Sequence, residues 1–299
     1  MFISVIVPMR NAELYLQACL DALVGQRYPS NEYEILLVDN GSTDRSVEIA
    51  RRYESVTLLA EPALGAYRAR NRGIKVARGD ILAFTDSDCA PHATWLSEIA
   101  AAMSDPRLEL LCGRRIPAGQ SFLLQSVGAY ENTKDAFVIG GNDAELYYGY
   151  SSNMAVRRNV FERLGPFLEL HRGADTLFVR QLAAEGRLVA IRYQGQAIVT
   201  HLELDRLSLY YKKVFLYGYH RHRNNSILRS RPLNRRERMA VYRQTVAAGG
   251  YGRLRSALLF GALGVGALVW LVGTASARFA PTTGASAGSQ PARRILRSP

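Results

Sequence analysis

Asp86-Ser87-Asp88 follows directly on the apolar run Ile81-Leu82-Ala83-Phe84. A strand over that run would carry two carboxylates, one residue apart, to its C-terminal end. Hard divalent cations such as Mg²⁺ or Mn²⁺ take oxygen ligands and bridge carboxylates to substrate phosphates. The spacing therefore lets one Asp reach a metal while the other hydrogen-bonds a bound nucleotide. A D-x-D triplet is also common in solvated turns, so its weight comes from its surroundings. Asp39, in Val38-Asp39-Asn40-Gly41-Ser42, closes another apolar run, where it could equally serve a turn and a helix cap. Asp175 is a candidate proton acceptor at the start of a further helical pattern, and could instead cap it. His201, in Val199-Thr200-His201, ends a late apolar stretch and is a plausible metal ligand as neutral imidazole.

The elements that must position these residues alternate along the chain. Strands are expected at 3–7, 35–38, 56–59 and 81–84, with helices at 12–25, 43–53, 65–78 and 93–103 between and after them. Leu14, Ala18 and Leu23 are among the apolar positions of the first helix. Ser42 and Asp44 are placed to cap the second. Such alternation implies parallel crossover units in an α/β sheet, whose ligands gather at the carboxyl ends of the strands. Asp39 and Asp86 both fall there. Farther on come a Gly/Tyr-rich stretch at 140–150, a helix at 175–185 and a last strand at 197–200. Residues 113–150 carry no pattern that places them.

The 299 residues are 48% hydrophobic, enough for one large or two small domains with a sizeable core. Net charge is +12, and the excess is local: residues 206–255 hold thirteen Lys/Arg and one acid, Glu237. Tyr210, Tyr211, Phe215, Tyr217 and Tyr219 are interleaved with this block, which suits anionic lipid. Arg221, His222, Arg223 and Asn224 could meet a diphosphate or lipid headgroups, or form a solvated face. Basic charge alone does not make a nucleic-acid reader, and no binding module is visible, so nucleic acid is not expected as a partner. Residues 256–277 carry no charge and as a helix would measure roughly 33 Å, enough to cross a hydrocarbon core. A buried core helix or a surface-lying helix would share that composition. The basic block favours a cytoplasmic N-terminal side, although Arg278, Arg293, Arg294 and Arg297 blur the signal. Cys19, Cys89 and Cys112 are odd in number and widely spaced, which argues against disulfides or zinc and fits a reducing cytosol. Cys89 reads as a small packing residue. No secretory leader is expected, because residues 3–7 are too short for one and reach Pro8 at once.

Taken in order, several blocks resemble family 2 glycosyltransferases, which have the GT-A fold: Ser4-Val5-Ile6-Val7-Pro8-Met9-Arg10-Asn11, Val38 to Asp44, Gly65-Ala66-Tyr67-Arg68-Ala69-Arg70-Asn71-Arg72-Gly73, Asp86-Ser87-Asp88, Ser152-Asn153-Met154-Ala155-Val156-Arg157-Arg158 and Gly173-Ala174-Asp175. The resemblance covers roughly residues 2–220 and implies a Rossmann-like α/β domain that binds a nucleotide sugar. It implies contacts to that donor from Pro8, Arg10, Asn11, Asp39, Arg70, Asn71, Asp86, Ser87 and Asn153. It implies a Mn²⁺ or Mg²⁺ ion held by Asp88, with Asp86 at the ribose or a metal-bound water, and His201 as a further ligand. Asp175 is implied as the base. Ala174 departs from the family's usual Glu before that Asp, which puts an auxiliary contact in doubt.

The expected organisation is a GT-A domain over 1–205, with its nucleotide-binding part at 1–112 and its acceptor part at 113–205. A basic interfacial helical segment (206–255), a membrane helix (256–277) and a disordered tail (278–299) follow. The chemistry expected is inverting transfer of a sugar from a UDP- or GDP-type donor to a saccharide or lipid-linked acceptor, at the cytoplasmic face of the cell membrane. Two other readings use the same carboxylates: a sugar nucleotidyltransferase and a non-catalytic nucleotide-sugar-binding membrane protein. The first usually needs a Gly-rich loop with Lys/Arg after the first strand, where Pro8-Met9-Arg10-Asn11 stands. Against the second stand the intact Asp86, Asp88 and Asp175.

Overall fold

The computed structural model describes residues 1–224 and 231–279, with 221–224 and 278–279 described by backbone alone. In chain order its elements are β1 (Ile3–Met9), α1 (Leu16–Val24), β2 (Tyr33–Asp39), α2 (Ser46–Ala50), β3 (Val56–Ala60), α3 (Ala66–Val76), β4 (Ile81–Thr85), β5 (Cys89–Pro91), α4 (Trp95–Met103), β6 (Leu110–Pro117), α5 (Phe122–Ile139), β7 (Asn153–Arg157), α6 (Arg158–Leu164), α7 (Ala174–Ala184), β8 (Ile191–His201), α8 (Leu207–Asn224), α9 (Arg235–Ala248) and α10 (Arg253–Phe279).

One eight-stranded sheet runs in the order β3-β2-β1-β4-β7-β6-β8-β5. The first four strands are parallel, as the βαβ alternation predicts. β7 then lies antiparallel between β4 and β6. β6 and β8 run the same way as β4, so their carboxyl ends return to the same edge. β1 is buried along its whole length, as a parallel strand covered on both faces must be. Its side chains alternate: Ile3, Val5, Val7 and Met9 face a core made with α1 and α4, while Ile6 faces a second core made with α3, α6 and α7. β4 divides in the same way, Ile81 and Ala83 to one side and Leu82 and Phe84 to the other.

Several local expectations shift. α1 starts at Leu16, not at 12, because residues 11–13 are tied to the β2–α2 loop: Ala12 N donates to Ser46 Oγ at 2.8 Å and Glu13 N to Asp44 Oδ2 at 3.1 Å. Leu14 is accordingly 81% exposed and Ala18 faces solvent, and the buried face is Leu16, Cys19, Leu20 and Leu23. α2 is one short turn over 46–50; Asp44 binds Ser46, and Ser42 Oγ accepts from Asn11 N, so neither caps it in the expected way. The last strand begins at Ile191, and the unplaced region supplies α5 and most of β6.

The end of the described chain forms a helical layer. α8 and α10 pack side by side in the same direction. Tyr211 Oη donates to Ala262 O at 3.0 Å, and farther along Thr274 Oγ1 donates to Gly218 O at 3.3 Å. Glycine makes the approach close: a Cβ on Gly218 would lie 2.4 Å from Trp270 O, and one on Gly273 would lie 2.2 Å from Phe215 O. Among the described residues, α10 is the helix long and apolar enough to cross a membrane by length and composition, with 22% of the span buried in the protein. Arg278 and Phe279, expected in the tail, continue α10, and residues 280–299 lie outside the described residues.

At the seam between the sheet's two halves sits Asn153, with no exposed surface. Its Oδ1 accepts from Trp95 Nε1 at 2.9 Å, and its Nδ2 donates to Arg114 O and Ala197 O, both at 2.8 Å. Gly113 leaves it room, since a Cβ there would lie 2.4 Å from Asn153 Nδ2 and from Ala197 O. Asn153→Ala takes a partner from the Trp95 indole N–H and from two backbone carbonyls, at about 1–3 kcal/mol for each buried group left unpaired. Urea unfolding followed by tryptophan fluorescence should show a loss of about 3 kcal/mol or more, and a loss under about 1 kcal/mol would contradict this role.

Candidate functional site

The strands that carry the singled-out carboxylates and His201 reach one edge of the sheet. β1, β2, β4 and β8 present their carboxyl ends there, and β7, running the other way, presents its start. Parallel strand ends leave free backbone groups and room between the connecting loops, which is why ligands of open α/β sheets collect there.

The β1 and β2 loops are pinned to each other. Asn11 has φ 50°, and its Oδ1 accepts from Thr43 N at 2.8 Å while its N–H donates to Ser42 Oγ at 3.1 Å. Asp39 Oδ1 accepts from Ser42 N at 3.1 Å and remains partly exposed, beside exposed Arg10. From α3, Arg70 reaches under the β4 end. It is 5% exposed, its guanidinium pairs with Asp86 Oδ1, and its Nε has no hydrogen-bond partner among the described residues. Tyr67, one turn earlier, lies 5.1 Å below that guanidinium and accepts from Gly173 N at 3.1 Å. Burial first, and Asp175 next, push the Tyr67 hydroxyl well above its usual range. The phenol therefore stays protonated.

Asp175 sits in the first turn of α7. Its Oδ2 accepts from Ser151 N at 2.9 Å and Ser151 Oγ at 3.1 Å, and Oδ1 from Thr176 N at 2.8 Å. The loop before α7 is fixed from beneath. Phe167 packs among Phe84, Phe161 and Phe178 at centroid distances of 5.4, 5.3 and 5.1 Å. Asn71 grips the Phe167 backbone from both sides, Nδ2 donating to its O at 2.8 Å and Oδ1 accepting from its N at 3.1 Å. Ala174, where the family's Glu usually stands, is 1% exposed and packs in the second core.

At the far side, Asp88, Cys89 and His201 place one ligand atom each within 4.8 Å of one another. β5 pairs Cys89 with His201, which brings the D-x-D turn to the end of β8. His201 Nε2 lies 3.7 Å from Asp88 Oδ2, and its Nδ1 lies 3.0 Å from Cys89 Sγ. Burial lowers the His201 pKa, against the pull of Asp88 and with the help of Lys213, so the ring is neutral near pH 7. Asp88 is raised by burial, with His201 and Lys213 opposing and Asp86 adding. The Cys89 thiol is raised well above its ordinary value by burial and by the two aspartates. A carboxylate fits Mn²⁺ or Mg²⁺ and a neutral imidazole fits Mn²⁺, and a soft thiol suits neither ion.

The sequence-level assignments therefore divide. Arg10, Asn11, Asp39, Arg70, Asp86, partly exposed Ser87, Asp88, Asp175 and His201 come to one edge. Pro8 is buried within the sheet, and Asn153 is buried with its amide fully used, so neither offers a side chain to a donor. The Asn71 amide is committed to Phe167. Asp86 pairs with Arg70 and stands outside the three-residue cluster. The side chains of Arg221, His222, Arg223 and Asn224 lie outside the described residues. Tyr67, Ser151, Glu203 and Lys213 are not among the residues assigned from the sequence; Tyr67 lies inside the Gly65–Gly73 block and Ser151 next to the Ser152–Arg158 block, whereas Glu203 and Lys213 carry no sequence signal.

Comparison with known proteins bears on the family and the fold. A family profile described as Glycosyl transferase family 2 matches residues 4–165. The glycosyltransferase AglE of Haloferax volcanii is 34% identical over 207 residues, 62% of this chain and 62% of AglE. The chain thus spans less than two thirds of that relative's length. Among solved structures, a mannosyltransferase of Pyrobaculum calidifontis in complex with GDP-Man and Mn²⁺ aligns with TM-score 0.57 and 19% identity, covering 98% of this chain and 78% of that one. S. aureus TarS 1-349 in complex with UDP aligns with TM-score 0.55 and 20% identity, covering 85% and 73%. These likenesses establish the α/β GT-A-like mixed-sheet fold, and with the profile match over more than half of its length, the chain belongs to the family 2 glycosyltransferases.

Proposed function

We propose that this protein is an inverting, metal-dependent glycosyltransferase that moves a sugar from a nucleoside-diphosphate sugar to a saccharide or lipid-linked acceptor at a membrane surface. The observation that carries the reading is the convergence of Asp39, Arg70–Asp86, Asp88–His201 and Asp175–Ser151 on one carboxyl edge of the sheet. Asp39 binds the ribose or base. Arg70 holds Asp86 toward the donor and keeps its Nε–H for it. Asp88 and His201 hold the divalent cation, which when bound supplies Lewis-acid neutralisation of the leaving diphosphate. Asp175 accepts the proton of the acceptor hydroxyl as that oxygen bonds the anomeric carbon and the carbon–phosphate-oxygen bond breaks. Attack from the face opposite the leaving group inverts the centre. The Ser151 hydrogen bonds fix the direction in which Asp175 points. A nucleotidyltransferase or a non-catalytic sensor would have no use for a carboxylate held in this way on the acceptor side.

Residues 1–112 carry the nucleotide half in this reading, 113–205 the acceptor half, and 206–277 the membrane contact. The outward face of α10 presents Leu254, Leu258, Val265, Leu268 and Val272, all exposed and spaced three, four or seven residues apart. A continuous apolar stripe on one helix face, beside a basic block, suits the boundary of an anionic bilayer. The three cysteines are free and buried, which agrees with a reducing, cytoplasmic side.

Detergent-solubilised protein screened with UDP- and GDP-sugars and Mn²⁺ or Mg²⁺ should release nucleoside diphosphate from one donor. Asp175→Asn should lower turnover by about 10²-fold or more while leaving nucleotide affinity within about twofold, because a general base acts on the acceptor. Full turnover in that variant would remove Asp175 from the chemistry. In vesicle flotation, wild-type protein should bind anionic liposomes. The pair Leu268→Glu and Val272→Glu should weaken binding at least about tenfold, a charge at the apolar face costing about 2–3 kcal/mol. Unchanged binding would exclude α10 as the contact.

A further inference from the structure

A nucleoside diphosphate would bring its negative charges to an edge that already carries Asp39, Asp86, Asp88 and Asp175. Arg70 is committed to Asp86 and Arg115 to fully buried Asp135, and exposed Arg10 stands on the β1 side, beside Asp39. A different cation faces the Asp88–His201 pair. Lys213, from the second turn of α8, sets its ammonium against His201 Nε2 and 3.0 Å from Glu203 Oε2, with its side chain 22% exposed. It lies in the block of residues 206–255 that composition alone assigns to the membrane surface, yet the fold turns it inward to the sheet edge.

We propose that Lys213 is a diphosphate-binding residue of the donor site, a tethered cation delivered by α8. This rests on the nucleotide-sugar reading above. The Lys213 ammonium lies within hydrogen-bond reach of His201 Nε2 and of Glu203. An ammonium carries three donors, so Lys213 can keep Glu203 and offer its other N–H groups to phosphate oxygens. Glu203 anchors the side chain beside the Asp88–His201 pair, where the leaving diphosphate would lie. The position of the lysine is set by the glycine contacts at Gly218 and Gly273, which lock α8 onto α10. The helix pair that offers an apolar face outward thus also builds one wall of the donor site.

The test separates phosphate recognition from nucleoside recognition and does not depend on turnover. Full-length protein in detergent with EDTA is titrated calorimetrically with UDP and GDP and with the matching nucleosides, for wild type, Lys213→Met and Lys213→Arg. Wild type should prefer the diphosphate to its nucleoside. Lys213→Met should lose about ten- to hundredfold in diphosphate affinity, the range expected for a charge-assisted hydrogen bond, with nucleoside affinity unchanged. Lys213→Arg should restore most of the preference. Diphosphate affinity equal to wild type in Lys213→Met would overturn the proposal, as would an equal loss for nucleoside and diphosphate, which would mark a purely structural residue. If wild type bound neither ligand, the nucleotide reading itself would fall and this proposal with it. Normal nucleoside binding without any preference for the diphosphate would overturn the role of Lys213 alone.

Discussion

The buried amide of Asn153 joins the parallel half of the sheet to the half that closes the site. β7 must run against β4 to carry the chain back across the sheet, and such a strand has no helix crossover of its own to hold its register. Asn153 supplies the hold by binding Trp95 of α4, Arg114 of β6 and Ala197 of β8 at once. Polar groups at that depth are tolerated only when fully paired, so the interaction specifies register as well as adding stability. Gly113 is the matching constraint on the facing strand. With this seam fixed, β4 and β8 end on the same edge of the sheet with β7 and β6 between them, and β5 pairs Cys89 with His201.

A second layer of positioning acts on Asp175. The carboxylate stands at a helix start, but the segment leading to it has no regular structure. The Phe84–Phe161–Phe167–Phe178 cluster and the Asn71 clamp replace secondary structure there, and Tyr67 accepts the Gly173 N–H at the helix entrance. The residues 67–71 that resemble a nucleotide block therefore serve two sides: Arg70 pairs with Asp86, while Tyr67 and Asn71 hold the loop before α7. One α3 face thus links the β4 end to the start of α7.

The first half of the fold is legible because buried parallel strands are short apolar runs that end in Asp, Asn or Gly. Asp39, Asp86 and Asp88 follow from that pattern alone. The middle is not, and the reason is physical. α5 buries Ser126, Asn132 and Asp135, so its polar residues break the apolar period that would reveal a helix. β6 changes from apolar Leu110-Leu111-Cys112 to basic Arg114-Arg115 across a bulge, and half of it looks like a loop. Asn71 and Asn153 match donor-binding blocks by type and spacing, but their side chains are claimed by backbone partners 96 and about 40 residues away in sequence. Lys213 is hidden for the opposite reason: a local run of charge suggests solvent or lipid, and tertiary packing turns one lysine inward.

The account depends most on where the divalent cation binds relative to the nucleotide. The direct measurement is a crystal structure with Mn²⁺ and the nucleoside diphosphate of the accepted donor, with anomalous data at the manganese edge. The account predicts a single peak bound by Asp88 and by His201 Nε2, bridging to the diphosphate, with Asp86 still held by Arg70. Manganese bound away from both Asp88 and His201, or a nucleotide seated at this edge in saturating Mn²⁺ without any metal peak, would contradict it.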